Sequence, residues 1–443
     1  MSAEIANAAA KAREASRVLA TTSAATRDAA LEAIAAALEA EAPALLEANT
    51  RDIAAAAAMV ERGEIGAPLL KRLDLGRKYD SVVGMVRSVR SLADPLEHTQ
   101  TATELADGLD LYRISVPIGV LGVIFESRPD ALVQIAALCL KSGNAVLMKG
   151  GREASESNRA LAEVIARASA TVPGIPDGWL VLLETREDVA AILGLHEHID
   201  LIIPRGSNEF VRYIMDNTNI PVMGHADGIC HVYVDEAADA AKALRVAIDS
   251  KVQYVAVCNA TETLLVHTKI ADSFLAEAIP ALREAGVEIR GDARAKAIGG
   301  DAVLVATDED WATEYLDYIL SIRVVDSMDE AITHINRYGS HHTDSICTEN
   351  AGSALRFLRA VDSASVAHNA STRFADGFRY GLGAEVGVST NRLHSRGPVG
   401  LEGLTTYKYL LLGDGHTVDD FEGASPQPYS HRSLDQAWTP PSS

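Results

Sequence analysis

The stretch KVQYVAVCNATETLLVH, residues 251–267, sets one cysteine among amides, hydroxyls and a carboxylate. Gln253 and Tyr254 precede Cys258 and Asn259, Thr261 and Glu262 follow it, where a helix-patterned run meets an apolar, strand-patterned one. A thiol in such a setting suits nucleophilic catalysis, because the thiolate is the attacking species and needs polar surroundings to form. Cys139 in AALCLKSG, Cys230 in GICHVYVD and Cys347 in SICTEN read instead as small buried hydrophobes. No two of the four cysteines form a CxxC pair, which disfavours a zinc site and a disulfide scaffold and leaves reduced thiols as the expectation. A lone cysteine is also a common structural residue, so the local sequence leaves both readings of Cys258 open.

The elements that must position this thiol follow from periodicity. About the first 90 residues alternate Ala, Leu and Ile with charged positions at helical spacing, as in TRDAALEAIAAALEAEAPALLEAN. From Ile118 short Val/Ile/Leu runs such as IGVLGVIFE, NAVLMKGG, GWLVLLE and IDLIIPRG alternate with helix-patterned segments. That texture predicts right-handed βαβ crossovers and a parallel sheet covered on both faces, with ligands at the carboxyl ends of the strands. FESRPD, KGGRE and PRGSNE fall at those ends. A second α/β pattern begins after Gly228 and carries Cys258. The domain expectation is therefore 1–228 for a helical lead-in and Rossmann-like domain, 229–395 for a catalytic domain and 396–422 for a return segment. Within these, TTYKYLLLGDG is expected to pair with DGLDLYRISVP (105–118) as a small β extension of the kind used in subunit contacts. Residues 423–443, rich in Pro, Ser and Gln, are expected to form a disordered tail.

Composition narrows the function classes. The 443 residues carry a formal charge of −21, so there is no basic excess to displace counterions from nucleic acid. An anionic substrate would need a local pocket of Arg, Lys or amide donors. No apolar run is long enough to span a bilayer and no secretory signal is evident, giving a cytoplasmic expectation.

The Cys258 block, together with VIFESRPD, LMKGGREASESN, GHADGICHVYVD, VDSMDEAITHINRYGSHHTDSI, HNASTRFADG and GLGAEVGVSTNRLHSRGPVGLEGLTTYKYLLLGDG, resembles the γ-glutamyl phosphate reductases, a branch of the aldehyde dehydrogenase superfamily. The resemblance runs from the N-terminal helices to about Gly415. It implies an aldehyde-dehydrogenase-like α/β fold: a Rossmann-type cofactor domain, an α/β catalytic domain and a small β oligomerisation extension. It also implies NADPH-dependent reduction of L-glutamyl 5-phosphate to L-glutamate 5-semialdehyde through a cysteine thioester. A separate glutamate kinase would supply the acyl phosphate, and the chain would be a homo-oligomer.

Roles follow position by position from the resemblance. Cys258 would be the nucleophile, with its own N–H as one oxyanion donor and Ser127, two residues before Pro129, as the second. Lys149 would reach the adenosine ribose. Arg152 stands where the superfamily often has a ribose-binding glutamate, and an arginine there attracts a 2′-phosphate, which favours NADP. Gly206 and Ser207 would face the pyrophosphate and Glu314 the nicotinamide ribose. His225 stands where hydrolytic aldehyde dehydrogenases carry the glutamate that activates water. Its role is left between orienting phosphate and capping a turn, and the missing base fits phosphorylating chemistry. Asn369, Thr372 and Arg373 would bind substrate, with Arg373 on the α-carboxylate. Two alternatives remain: a CoA-acylating semialdehyde dehydrogenase, and a non-catalytic nucleotide-binding scaffold.

Overall fold

The computed structural model describes residues 2–65, 68–126, 128–206, 208–224 and 227–439. Its first sheet is parallel and ordered Leu180–Leu183, Ala145–Lys149, Val120–Phe125, Leu201–Arg205. All six residues of Val120–Phe125 are buried. A continuous apolar run, rather than alternation, is what a central parallel strand covered on both faces requires. The helices Ser2–Leu19, Ala24–Ala40, Tyr79–Ser91, Pro129–Lys141 and Ser155–Ala170 pack into the same core. Arg13 of the first helix grips Asp200 through both guanidinium nitrogens at 2.6 and 2.8 Å, and Asp200 also accepts the Val120 N–H at 2.8 Å. The helical lead-in is thereby bound to the head of the central strand.

The second sheet has seven parallel strands: Leu304–Val305, Glu288–Gly291, Ile319–Val325, Thr261–His267, Cys230–Val234, Thr343–Cys347 and Ser365–His368. Strand alternation divides its apolar side chains between two layers. Val232, Val234, Leu264 and Val266 enter one core with the helix Thr268–Glu284, and Tyr233, Leu265 and Ile346 enter the other with Phe357. The chain returns to the first core before residue 395: Ala384, Val386, Val399, Leu401 and Leu404 all pack there. Alternating patterns do not reveal such a return, because these residues form only a two-stranded bridge and turns.

The third sheet is antiparallel and ordered Thr405–Leu412, Leu109–Pro117, Thr99–Ala106, Arg432–Ser433. TTYKYLLL pairs with DLYRISVP over eight registered residues. The expectation of a disordered tail is corrected over 423–439. Ser430 and Leu434 donate backbone N–H groups to Leu105 and Ala102 at 2.8 and 2.9 Å, and Arg432 pairs with Glu104 at 2.7 Å. Leu434 and Trp438 pack against the buried Ala102, Tyr112 and Ile114. The open edge of Thr99–Ala106 offers the hydrogen bonds, and two apolar residues in an otherwise polar segment anchor it.

Candidate active site

Cys258 lies in a loop of eight residues between the helix Ala240–Val252 and the strand Thr261–His267. A buried ion pair closes the base of that loop. Lys251 Nζ meets Glu262 Oε2 at 2.6 Å, both side chains are essentially inaccessible, and the other Glu262 oxygen accepts the Leu316 N–H at 3.3 Å. Burial pushes Glu262 up to about 7 and lowers Lys251, each against the opposing pull of its partner's charge. Further contacts fix the loop itself. Arg72 donates to the Ala256 carbonyl at 3.2 Å, Thr372 Oγ1 to the Asn259 carbonyl at 2.7 Å, Asn259 Nδ2 to the Ala375 carbonyl at 2.9 Å, and the Cys230 thiol to the Cys258 carbonyl at 3.2 Å. Gly228 packs on the Cys258 backbone so closely that a Cβ there would lie 2.2 Å from the Cys258 carbonyl oxygen. Any other residue at 228 would displace the cysteine.

Cys258 is partly exposed, whereas Cys139, Cys230 and Cys347 are buried. Burial raises the thiol pKa of each of those three, Cys347 to about 12, which is the behaviour of inert core cysteines. His342 Nε2 lies 3.1 Å from Cys258 Sγ, and His342 Nδ1 lies 2.8 Å from Thr343 Oγ1. The HHTD block therefore delivers an imidazole to the thiol from the neighbouring part of the sheet. The family resemblance gave His342 no task. The signal was present, since a nucleophilic cysteine calls for a basic partner.

Lys149, Arg152 and Gly206, expected to bind cofactor, lie at the carboxyl ends of the first sheet. Lys149 ends its strand and Arg152 opens the next short turn, where it pairs with Glu64 at 3.2 Å. Gly206 follows Arg205 at a bend, with Glu126 and Phe210 so close that a Cβ would meet them at 3.0 and 3.1 Å. Glu314 arrives from the second domain and accepts Asn208 Nδ2 at 2.9 Å, so it stands at the start of the helix Asn208–Asp216. Ser127, Ser207 and His225 lie outside the described residues. The arrangement fits a dinucleotide. Asn158 Oδ1 is buried with no partner among the described residues, its amide lies where a Gly150 Cβ would be (2.1 Å), and both adjoin Lys149. The glycines let these side chains pack onto the strand ends, and the unmet Asn158 acceptor leaves polarity there for a ribose hydroxyl.

Two of the residues expected to bind substrate, Asn369 and Thr372, also make internal hydrogen bonds. The Asn369 side chain exchanges hydrogen bonds with the Thr348 backbone at 3.0 Å in both directions, and Thr372 Oγ1 holds Asn259 and lies 3.2 Å from Thr261 Oγ1. Both therefore hold backbone in place around the cysteine loop and the neighbouring strand end. Arg373 differs: it is buried, its Nε donates to Gln253 Oε1 at 3.0 Å, and no hydrogen bond from its terminal nitrogens is recorded among the described residues. Burial lowers its pKa and Arg379 adds to the effect, while the Cys258 thiolate charge opposes it.

Residues 1–299 match the model of the aldehyde dehydrogenase family. A curated γ-glutamyl phosphate reductase from Natronomonas pharaonis is 56% identical over 411 residues, covering 93% of this chain and 93% of its own. The solved γ-glutamyl phosphate reductase of Thermotoga maritima superposes with a TM-score of 0.89 at 42% identity, covering 94% of this chain and 99% of its own. An acetylating aldehyde dehydrogenase from Geobacillus thermoglucosidasius shares the fold at 18% identity, with a TM-score of 0.64 over 94% of this chain and 98% of its own. The parallel sheets and the family model together define the chain as one of this class of oxidoreductase. The chain belongs to the aldehyde dehydrogenase family and, within it, to the γ-glutamyl phosphate reductases.

Proposed function

We propose that this protein reduces L-glutamyl 5-phosphate to L-glutamate 5-semialdehyde and phosphate, the second step of proline synthesis from glutamate. The observation that carries the reading is the partly exposed Cys258 with His342 Nε2 at 3.1 Å. Cys258 Sγ attacks the acyl carbon, the C–S bond forms, and the bond to the phosphate oxygen breaks. The Cys258 N–H and Ser127 stabilise the oxyanion that develops. When bound, the nicotinamide supplies the hydride that takes the acyl group to the aldehyde level. Cys258 then leaves as the C–S bond breaks, and the aldehyde is released. Arg373 holds the α-carboxylate in a buried position where a guanidinium fork is strongly favoured. Purified protein should reduce NADP⁺ when given glutamate 5-semialdehyde and phosphate, and a failure to do so would remove the assignment.

His342 holds the proton that Cys258 gives up and stabilises the thiolate by charge. His342→Ala should therefore slow iodoacetamide labelling of Cys258 at neutral pH by about tenfold or more, in line with losing a charged neighbour and hydrogen bond. Labelling at the parental rate would leave His342 with a packing role only.

Lys149, Arg152, Gly206, Ser207 and Glu314 hold the cofactor, and Arg152 selects NADP(H). Its exposed ion pair with Glu64 contributes little and is readily exchanged for a 2′-phosphate. Arg152→Glu should lower the preference for NADP(H) over NAD(H) by about one to two orders of magnitude, about 1.5–3 kcal/mol, the range of a hydrogen bond between charged groups. An unchanged ratio would show that Arg152 does not face the 2′-phosphate.

Among the described residues no helix is long and apolar enough to cross a membrane. We place the reaction in the cytoplasm, supplied by a separate glutamate kinase. The homo-oligomer contact is assigned to the outer strand Thr405–Leu412, where Tyr407, Tyr409 and Leu411 are at least half exposed. An open edge with such side chains is stable in solution when another strand covers it.

A further inference from the structure

The first sheet changes direction between Val120–Phe125 and Leu201–Arg205. From Val120–Phe125 the chain steps outward to Ala145–Lys149 and Leu180–Leu183, then returns to lay Leu201–Arg205 on the opposite side. At such a point the loops after the two strands part and leave a crevice at their carboxyl ends. Two guanidinium groups stand there. Arg205 is the last residue of its strand and is registered against Phe125, and Arg128 follows Phe125 by three residues.

Arg128 is engaged: it donates to Asp130 at 3.0 Å, and Asp130 also takes Lys78 at 2.8 Å. Arg205 is not engaged in the same way. Its Nη1 is buried and has no hydrogen-bond partner among the described residues, and no ion pair to it lies within 4 Å among them. Its stem passes Gly387, where a Cβ would touch Cγ and Cδ at 3.8 and 3.9 Å. Burial disfavours its charge and Arg128 adds to that, while Glu385, Asp130 and the Cys258 thiolate favour it. Glu385 is itself turned to the Gly377 N–H at 2.9 Å. A buried donor left unmet on a partly buried guanidinium is costly to keep in a fold unless an anion arrives to meet it.

We propose that Arg205, with Arg128 beside it, forms the phosphate subsite: it holds the phosphoryl group of the acyl phosphate during reduction and inorganic phosphate in the reverse reaction. The inference rests on the acyl-phosphate reading above. Cys258 is near enough to act electrostatically on both Arg205, at the end of a first-sheet strand, and the buried Arg373, from the second sheet's side. The substrate has an anion at each end. Arg205 has a second cation next to it at the switch point, which suits a dianionic tetrahedral group, and its planar fork presents paired N–H donors to two phosphate oxygens. In the reverse reaction a phosphate oxygen held there attacks the thioester carbon, the C–O bond forms, and the C–S bond breaks to return the thiolate.

The test uses Arg205→Gln in the oxidative direction with inorganic phosphate as the varied reactant. The KM for phosphate should rise at least about tenfold, with the KM values for semialdehyde and NADP⁺ within about twofold of the parent. A second readout needs no turnover: in the parent, phosphate should slow iodoacetamide labelling of Cys258 relative to chloride at matched ionic strength, and in Arg205→Gln it should not. Should Arg205→Gln fail to fold, Arg205→Lys carries the test, because it keeps the charge and loses the fork; its phosphate KM should rise severalfold. An unchanged phosphate KM in the folded variant would overturn the subsite. A rise confined to the semialdehyde KM would also overturn it by placing the α-carboxylate at Arg205. Parent enzyme whose oxidation ignores phosphate would instead overturn the acyl-phosphate reading.

Discussion

Cys258→Ala will lose turnover by at least about four orders of magnitude while binding NADPH with nearly parental affinity. The first half follows from the covalent route, since without the thiol no C–S bond forms and hydride would have to meet an acyl phosphate that nothing holds or activates. The second half follows from architecture. Lys149, Arg152 and Gly206 stand on the first sheet, whereas Cys258 belongs to a loop of the second domain. The loop should survive the change, because the bonds that fix it use the Ala256, Cys258 and Asn259 carbonyls, the Asn259 amide and the Lys251–Glu262 pair, none of which involves the sulfur. Alanine is also smaller than cysteine, so the tight approach of Gly228 is not worsened. Fluorescence titration of NADPH and a coupled turnover assay on the same preparation separate the two halves. Residual turnover within a hundredfold of the parent would exclude the thioester.

What the sequence disclosed and what it withheld differ by range of interaction. Val120–Phe125 was legible because a parallel strand buried on both faces must be apolar throughout, and that is a local property. Cys258 was legible as a candidate because its polar neighbours are adjacent in sequence. His342 was not assigned, since it reaches the thiol from 84 residues away and periodicity carries no information on which strand ends meet. Glu314, bound to Asn208 across 106 residues, was named only through the family resemblance, because periodicity is equally silent about that contact. For Asn369 and Thr372 the sequence did not disclose the backbone carbonyls of Thr348 and Asn259 that they hold, because donor-rich loops bind backbone as readily as ligand. The tail misled because composition averages over the two residues, Leu434 and Trp438, that dock it.

Oxidation of glutamate 5-semialdehyde will depend on phosphate beyond the first turnover, with the steady-state rate falling at least about a hundredfold when phosphate is removed, the lower bound of what a positioned general base contributes to activating water. The acyl group on Cys258 leaves only when a nucleophile attacks its carbon, and water needs a base to compete. The family resemblance sets His225 where hydrolytic relatives carry a glutamate as that base. Asp227, the nearby carboxylate, is engaged elsewhere: one oxygen takes Asn208 Nδ2 at 2.6 Å and the other takes Arg212, so it faces the helix Asn208–Asp216. Glu262, close in sequence on the other side, is buried in its pair with Lys251. A first turnover should appear as a burst of NADPH equal to the enzyme present, after which phosphate sets the rate. Arsenate should replace phosphate, because it attacks the same carbon and its acyl adduct hydrolyses, whereas coenzyme A should not, which separates this chemistry from that of CoA-acylating dehydrogenases. Sustained turnover in phosphate-free buffer would mean that His342 or another group activates water at the thioester, and stimulation by coenzyme A alone would mean that Cys258 passes its acyl group to a thiol.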